Sequence, residues 1–208
     1  MTFHAQLTAK RVVPVVVVKE LAHTDTLAEA LVQGGLPVAE VTFRTACAPD
    51  VIKQLAERGD ILVGAGTVIN TDQVDQAIDC GANFIVSPGV SRKVIERCIE
   101  KNIPIYPGAV TAAEVQVGLE YGLETLKFFP AEAAGGTKVI KALSGPFPQL
   151  KFMPTGGIGL NNLSEYLSLP MIDAIGGSWM VPANLVAEGN VDELVKLVKD
   201  AVAAAAAI

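Results

Sequence analysis

One lysine interrupts an otherwise apolar segment of the chain. Lys127 lies between Leu126 and Phe128, in a run with the composition of a buried strand. Alternate side chains of a strand share a face, so Thr125, Lys127 and Phe129 should point the same way. Burial disfavours the charged form of an amine, and a neutral amine can attack a ketone to form a Schiff base. The alternative is a lysine whose ammonium extends to the solvent at the rim of the fold.

A second segment places charged side chains in a strand that should be buried. Glu40, Thr42 and Arg44 fall on one face of this strand, and Val41 and Phe43 fall on the other. A carboxylate such as that of Glu40 can act as a general acid and base. The guanidinium of Arg44 can hold a substrate carboxylate through two parallel hydrogen bonds. An internal ion pair is the alternative explanation for these charges.

Two glycine-rich turns follow the last two predicted strands. The first contains Gly156 and Gly157, and the second contains Gly176, Gly177 and Ser178. Backbone N–H groups in such turns bind phosphate, and barrels often carry a phosphate site after their seventh and eighth strands. Either turn alone would be an ordinary tight turn, so the two together predict the phosphate site.

Composition argues against several other functions. The two histidines, His4 and His23, share no ligand spacing with Cys47, Cys80 and Cys98, so we predict neither a metal site nor a cofactor. A net charge of −6 without a basic run argues against nucleic acid as a partner. No apolar run is long enough to cross a membrane, and the N-terminus does not resemble a signal peptide. The odd number of widely spaced cysteines is typical of a reducing compartment, which predicts a cytoplasmic protein.

The elements that must position these residues alternate between short apolar strands and amphipathic helices. Strands are predicted over 12–18, 39–43, 61–65, 84–87, 103–106, 125–129, 151–154 and 174–177, and helices over segments that include 24–32, 49–57, 71–80, 91–101 and 111–121. We expect side-chain oxygens of Asn70, Ser91 and Thr111 to cap three of these helices. The alanine-rich end, 201–207, is expected to be fraying surface structure.

This alternation predicts an α/β fold with a parallel sheet, and eight repeats predict closure into a single-domain (β/α)8 barrel, the TIM barrel, over residues 1–208. An open doubly wound sheet is the competing architecture, but no Gly-x-Gly-x-x-Gly motif follows the first strand. In a barrel, the turns that follow the strands gather at one face, where active sites are built. The candidate residues should therefore meet there.

Six short blocks occur in order over nearly the whole chain. They are Glu-Val-Thr-Phe-Arg-Thr from Glu40, Gly-Ala-Gly-Thr-Val from Gly64, Ser-Pro-Gly from Ser87, Lys-Phe-Phe-Pro-Ala-Glu from Lys127, Pro-Thr-Gly-Gly-Ile from Pro154 and Gly-Gly-Ser-Trp from Gly176. Together they resemble the 2-keto-3-deoxy-6-phosphogluconate (KDPG) aldolases, a family that also handles 4-hydroxy-2-oxoglutarate (KHG). The block that begins at Lys127 is highly specific, and no motif position departs from the family's pattern.

The resemblance implies a class I aldolase, normally a homotrimer, that cleaves a phosphorylated 2-keto acid to pyruvate and glyceraldehyde 3-phosphate, as in the Entner–Doudoroff pathway. Lys127 matches the Schiff-base lysine, and Glu40 matches the residue that moves protons through a bound water. The positions around the pyruvyl half match Arg44, Thr67, Pro88, Phe129 and Thr155, and those that receive phosphate match Gly156, Gly157, Gly177 and Ser178.

Two alternatives from other functional classes remain at this point. A phosphate-binding barrel isomerase or epimerase would use a carboxylate and a phosphate site, but it would not need Lys127 as a nucleophile. In a non-catalytic sugar-phosphate-binding protein on the same fold, Glu40 and Lys127 would only pair with each other.

Overall fold

The computed structural model describes residues 2–208, which form eight strands and ten α-helices; strands and helices alternate from α1 to β8, and the last two helices follow β8. The strands are β1 (Val12–Val16), β2 (Val38–Thr42), β3 (Leu62–Gly66), β4 (Phe84–Ser87), β5 (Ile105–Pro107), β6 (Thr125–Phe128), β7 (Lys151–Pro154) and β8 (Ile175–Gly177). The helices are α1 (Phe3–Leu7), α2 (Thr24–Gln33), α3 (Ala48–Arg58), α4 (Thr71–Asp79), α5 (Arg92–Glu100), α6 (Ala112–Glu120), α7 (Gly136–Ser144), α8 (Leu163–Leu167), α9 (Ala183–Ala187) and α10 (Val191–Ala206). All eight predicted strands are confirmed, with ends that differ by two residues or fewer.

The strands are parallel and close on themselves. Six pair in the order β5-β4-β3-β2-β1-β8, and the other two pair as β6-β7. An isolated bridge between Gly108 and Lys127 joins the two groups at one edge, and a bridge between Thr155 and Gly176 joins them at the other. The predicted (β/α)8 barrel is therefore confirmed, and the open doubly wound sheet is excluded.

Hydrophobic side chains fill the N-terminal end of the barrel interior. Leu7 of α1 packs in a buried cluster with interior residues that include Phe84 and Tyr106. The ring of His4, also on α1, lies 3.0 Å from the Tyr106 hydroxyl and 2.9 Å from the carboxylate of Asp173. Helix α1 therefore covers this end of the barrel.

Two of the three predicted helix caps are present. The Asn70 side chain accepts a hydrogen bond from the Gln73 N–H at 2.9 Å, and Thr111 forms a reciprocal capping box with Glu114. The prediction for Ser91 was wrong, because its side chain makes no capping hydrogen bond although it precedes α5. Its ψ is 113°, against 170° for Asn70 and 156° for Thr111. We attribute the missing bond to this difference in backbone direction.

The expectation that the alanine-rich end frays was also wrong. Helix α10 runs to Ala206, and its residues Ala201 and Ala205 are 0% and 1% exposed. They continue the buried stripe of Leu194 and Val198 at the spacing of one helix face. Small alanine side chains let α10 pack closely against the rest of the fold. No helix within residues 2–208, α10 included, is long and apolar enough to cross a membrane.

Candidate active site

Lys127 and Glu40 meet inside the barrel. Lys127 projects from β6 and Glu40 from β2, which are four strands apart and therefore on opposite sides of the closed wall. Their side chains touch across the interior, with 3.0 Å between Nζ of Lys127 and Oε1 of Glu40. Lys127 is 5% exposed and Glu40 is 2% exposed. The structure thus places Lys127 inside the barrel, as its strand face predicted, and not at the rim.

The contact pairs the two side chains in the barrel interior. At 3.0 Å, neither group is left without a partner in a region from which water is excluded. A buried pair of this kind contains its own proton donor and acceptor. Transfer of one proton from Lys127 to Glu40 produces a neutral amine and a carboxylic acid at the same time.

Glycine makes the space that Glu40 occupies. Gly66, at the end of β3, faces the Glu40 side chain, and a Cβ at this position would lie 2.7 Å from Cγ of Glu40. Next to it on β2, the Thr42 hydroxyl donates to the carbonyl of Val16 at 3.0 Å. Sequence reasoning gave Gly66 no role. A glycine inside a strand often marks the close approach of another group, and this signal could have identified it.

Arg44 does not share the interior with Glu40. Strand β2 ends at Thr42, and Arg44 lies beyond it with an exposed side chain. Its Nε donates to Oγ1 of Thr67 at 3.2 Å. Among residues 2–208, Glu40 forms an internal ion pair with Lys127 and none with Arg44, so only an ion pair between Glu40 and Arg44 is excluded. Thr67 has a φ of 60°, a left-handed conformation that is strained for a β-branched residue and common at functional sites.

Three further predicted residues lie close to the Lys127 strand. The Phe129 ring centroid is 5.3 Å from Nζ of Lys127. Thr155, 6% exposed, follows β7, the strand that pairs with β6. The backbone of Pro88 packs on Gly108, so closely that a Cβ on Gly108 would lie 2.5 Å from the carbonyl carbon of Pro88. Gly108 in turn bridges to Lys127.

The two glycine turns lie side by side, because the Thr155–Gly176 bridge joins the strand ends that lead into them. Gly156 and Gly157 have φ values of 102° and 80°, which side chains rarely adopt. Gly177 lies beneath the indole of Trp179, where a Cβ would be 3.1 Å from Cη2. Ser178 is exposed beside it. The two turns thus offer backbone N–H groups and one hydroxyl at the C-terminal face of the barrel, close to the strand that carries Lys127.

No group of three or more His, Cys, Asp and Glu side chains within residues 2–208 is arranged to hold a metal ion. The chemistry that the site does offer is that of an amine, a carboxylate, a guanidinium and two glycine turns. These groups come from strands at several positions around the barrel, and the fold brings them to the C-terminal half of its interior and to the adjoining loops.

Comparison with known proteins places this arrangement in a family. A sequence profile described as "KDPG and KHG aldolase" matches residues 3–197. The KHG/KDPG aldolase of Escherichia coli K12 is 47% identical over 197 residues, which cover 94% of this chain and 92% of that protein.

Two solved structures share both fold and sequence with the chain. KDPG aldolase from Legionella pneumophila, with pyruvate captured as a covalent carbinolamine intermediate, has a TM-score of 0.92 and 42% identity, and the match covers 96% of this chain and 97% of that one. The KDPG aldolase of Zymomonas mobilis ZM4 with 3-phosphoglycerate has a TM-score of 0.91 and 40% identity, and the match covers 97% and 95%. The match over nearly the full length means that this chain belongs to the KDPG and KHG aldolase family.

Proposed function

We propose that this chain is a class I aldolase that reversibly cleaves KDPG to pyruvate and glyceraldehyde 3-phosphate through a Schiff base on Lys127. The same site would cleave KHG to pyruvate and glyoxylate, because both substrates present a 2-keto acid end to the amine. The observation that carries the proposal is the buried 3.0 Å contact between Lys127 and Glu40 across the barrel. The Legionella pneumophila relative holds pyruvate as a covalent carbinolamine, which is the first adduct that an amine such as that of Lys127 would form with a 2-keto acid.

Formation of the imine begins with the proton that Lys127 and Glu40 share. Once the proton is on Glu40, the neutral amine attacks C2 of the substrate, and the ketone oxygen takes up a proton to give a carbinolamine. Loss of that oxygen as water leaves a protonated imine. In balance, the ammonium of Lys127 and the ketone yield the iminium and one water, and Glu40 ends as a carboxylate ready to accept a proton.

Cleavage then uses the iminium as an electron sink. Glu40 removes the proton of the C4 hydroxyl, C4 becomes an aldehyde, and the electron pair of the C3–C4 bond moves to C3 to form an enamine. Glyceraldehyde 3-phosphate leaves. Protonated Glu40 returns the proton to C3, and water hydrolyses the resulting imine to pyruvate and free Lys127. One carboxylate therefore serves both proton transfers, through a bound water as the family resemblance implies.

The remaining residues would orient the substrate. Arg44 has an exposed guanidinium, and Thr67 fixes its Nε; within residues 2–208 no hydrogen bond occupies its terminal nitrogens, which would bind a carboxylate. Thr155 is buried beside the Lys127 strand with a hydroxyl that can donate to the same carboxylate. Pro88 and Phe129 would form apolar walls around the pyruvyl group.

The phosphate end would lie at the two adjacent glycine turns. Gly156, Gly157 and Gly177 would present backbone N–H groups to it, and Ser178 would add its hydroxyl. The positive φ values of Gly156 and Gly157 support this role, since such backbone conformations orient consecutive N–H groups toward an anion. The 3-phosphoglycerate in the Zymomonas mobilis relative is a phosphorylated ligand of the same general kind.

We extend the proposal to the setting of the enzyme. The family resemblance supports a homotrimer that acts in the Entner–Doudoroff pathway. The odd number and wide spacing of the cysteines support a cytoplasmic location.

The test of the proposal is to trap the imine. The protein is incubated with pyruvate, reduced with borohydride and digested, and the modified peptide is identified by mass spectrometry. We expect a reduced pyruvyl group on Lys127. Lys127→Ala should lose both the adduct and cleavage of KDPG, whereas Glu40→Gln should slow cleavage and still allow some adduct.

Lys138→Ala, which removes an exposed lysine of α7, is the matched control and should leave both activities intact. If wild-type protein gives no adduct on Lys127, the aldolase mechanism is refuted. Isomerisation without an adduct would then indicate the isomerase alternative, and binding without turnover would indicate a sugar-phosphate-binding protein.

A further inference from the structure

A buried tyrosine and a glutamate form a hydrogen bond behind the first glycine turn. Tyr166, on α8, is among the largest fully buried side chains of residues 2–208 and is 1% exposed. Its hydroxyl donates to Oε1 of Glu132. Glu132 ends the block that begins at Lys127 and lies in the loop that follows β6. The bond therefore links the loop after the Lys127 strand to the helix after the glycine turn, across 34 residues of sequence.

The backbone around Glu132 is joined directly to that glycine turn. The N–H of Glu132 donates to the carbonyl of Gly156 at 3.1 Å, and the N–H of Ala131 donates to the carbonyl of Thr155 at 2.8 Å. The side chain of Glu132 then covers Gly157, where a Cβ would lie 2.6 Å from its Cγ and 2.7 Å from its Cβ. Both the backbone and the side chain of Glu132 thus contact the turn.

The turn is held from its other side as well. The side-chain amide of Asn162 donates to the carbonyl of Gly157 at 3.1 Å and accepts from the N–H of Gly159 at 2.9 Å. Burial, followed by the hydrogen bond to Glu132, raises the pKa of the Tyr166 hydroxyl above its usual value, so it stays protonated and acts as a donor. Glu132 and Asn162 therefore enclose the turn between them.

We infer that Glu132 and Tyr166 are positioning residues that set the distance between the glycine turn and Lys127, and so select 2-keto acids whose chain carries a terminal phosphate. This inference rests on the proposed function, and it adds residues that would touch neither the keto acid nor the reacting atoms. A shift of the turn matters only to a substrate that reaches both Lys127 and the turn. A substrate without the phosphate has no group to place there, so its binding is independent of the pair.

The test compares two substrates that differ only in the phosphate, KDPG and 2-keto-3-deoxygluconate. Tyr166→Phe removes the hydroxyl and keeps the buried ring. We expect the KM for KDPG to rise about tenfold with kcat within about twofold, and kcat/KM for 2-keto-3-deoxygluconate to stay within about twofold. Glu132→Ala should reproduce this pattern. Glu132→Gln keeps an oxygen acceptor of the same length and should retain most of the preference for KDPG.

Tyr121→Phe is the matched control, because Tyr121 forms a similar bond to Glu96, with 2.6 Å between the oxygens, on the outer surface of the barrel. It should leave the kinetics of both substrates unchanged. Equal losses for both substrates in Tyr166→Phe and Glu132→Ala would mean that the pair only stabilises the fold and would overturn the inference, as would unchanged kinetics. Absence of a pyruvate adduct in the wild-type protein would instead refute the proposed function. Because the adduct is measured before any variant is compared, this failure is distinguishable from failure of the inference.

Discussion

A single methyl group at Gly66 should disable the site without removing any reacting group. In Gly66→Ala, the new Cβ would lie 2.7 Å from Cγ of Glu40 and closer still to its Oε1. Ordinary contact begins at 3.4 Å, so the Glu40 carboxylate must move away by about 1 Å. The direction of the contact pushes the carboxylate off β3, and the 3.0 Å bond to Lys127 cannot survive unchanged.

The expected cost is large because proton transfer depends on distance. A misplacement of about 1 Å at a catalytic group can reduce the rate about 100-fold, so we expect kcat for KDPG to fall by about that factor. Stability should change by less, about 1–3 kcal/mol, because a side chain added to a packed interior causes local displacement and not unfolding. Activity and stability should therefore separate in this variant.

The assay measures pyruvate release by coupling to lactate dehydrogenase, together with thermal unfolding of the same preparation. Gly145→Ala is the matched control, because Gly145 has a φ of −57° and its nearest contact, the carbonyl oxygen of Ala142, would be at 3.5 Å. It should keep full activity. If Gly66→Ala keeps kcat within about threefold of wild type while it remains folded, the position of Glu40 does not limit the reaction and the reasoning fails.

Two predictions concern stability. Burial raises the pKa of Glu114, but hydrogen bonds from Val110 and Thr111 outweigh this effect and leave the pKa lowered. The carboxylate therefore stabilises the fold above the unfolded-state pKa of about 4.3, and this stabilisation is lost as the pH falls through the lower pKa of the folded state. The difference in unfolding free energy between wild type and Glu114→Gln should therefore be constant from neutral pH down to about 5 and shrink below about 4; a difference that persists at pH 3 would contradict it. Ala201→Leu should lower the free energy of unfolding, measured in denaturant, by about 1–3 kcal/mol, because the site is fully buried. Ala203→Leu, on the exposed side of α10, should be nearly neutral. Similar changes in unfolding free energy for both variants would mean that the alanine-rich end of α10 does not pack against the fold.

Sequence alone predicted the features that depend on local periodicity. The alternation of faces along β6 placed Lys127 inside the barrel, and the same rule placed Glu40 inside from β2. The rule failed at Arg44, because it assumes that the strand continues, whereas β2 ends at Thr42 and the chain turns, with the N–H of Arg44 donating to the carbonyl of Thr42 at 2.7 Å. No local sequence pattern predicts that β2 ends at Thr42.

Contacts between distant segments could not be predicted in the same way. Lys127 and Glu40 are 87 residues apart, and their contact depends on closure of the whole barrel. The cover that α1 forms over the N-terminal end has the same origin, since His4 finds its partners 102 and 169 residues further along the chain. For Tyr166, the sequence analysis assigned neither a role to the side chain nor a helix at α8. Its position behind the glycine turn is a property of the packed fold.

The way the barrel closes has a consequence for the enzyme at work. The pair β6-β7 meets the six-stranded sheet through isolated bridges at Lys127 and at Thr155, so the seams of the wall lie at residues proposed to hold the substrate. A substrate bound between Lys127 on β6 and Glu40 on β2 would connect the β6-β7 pair to the six-stranded sheet across those seams. Part of its binding free energy then stabilises the closed wall. Metabolite concentration would therefore govern not only turnover but also the fraction of barrels that are held closed by bound substrate.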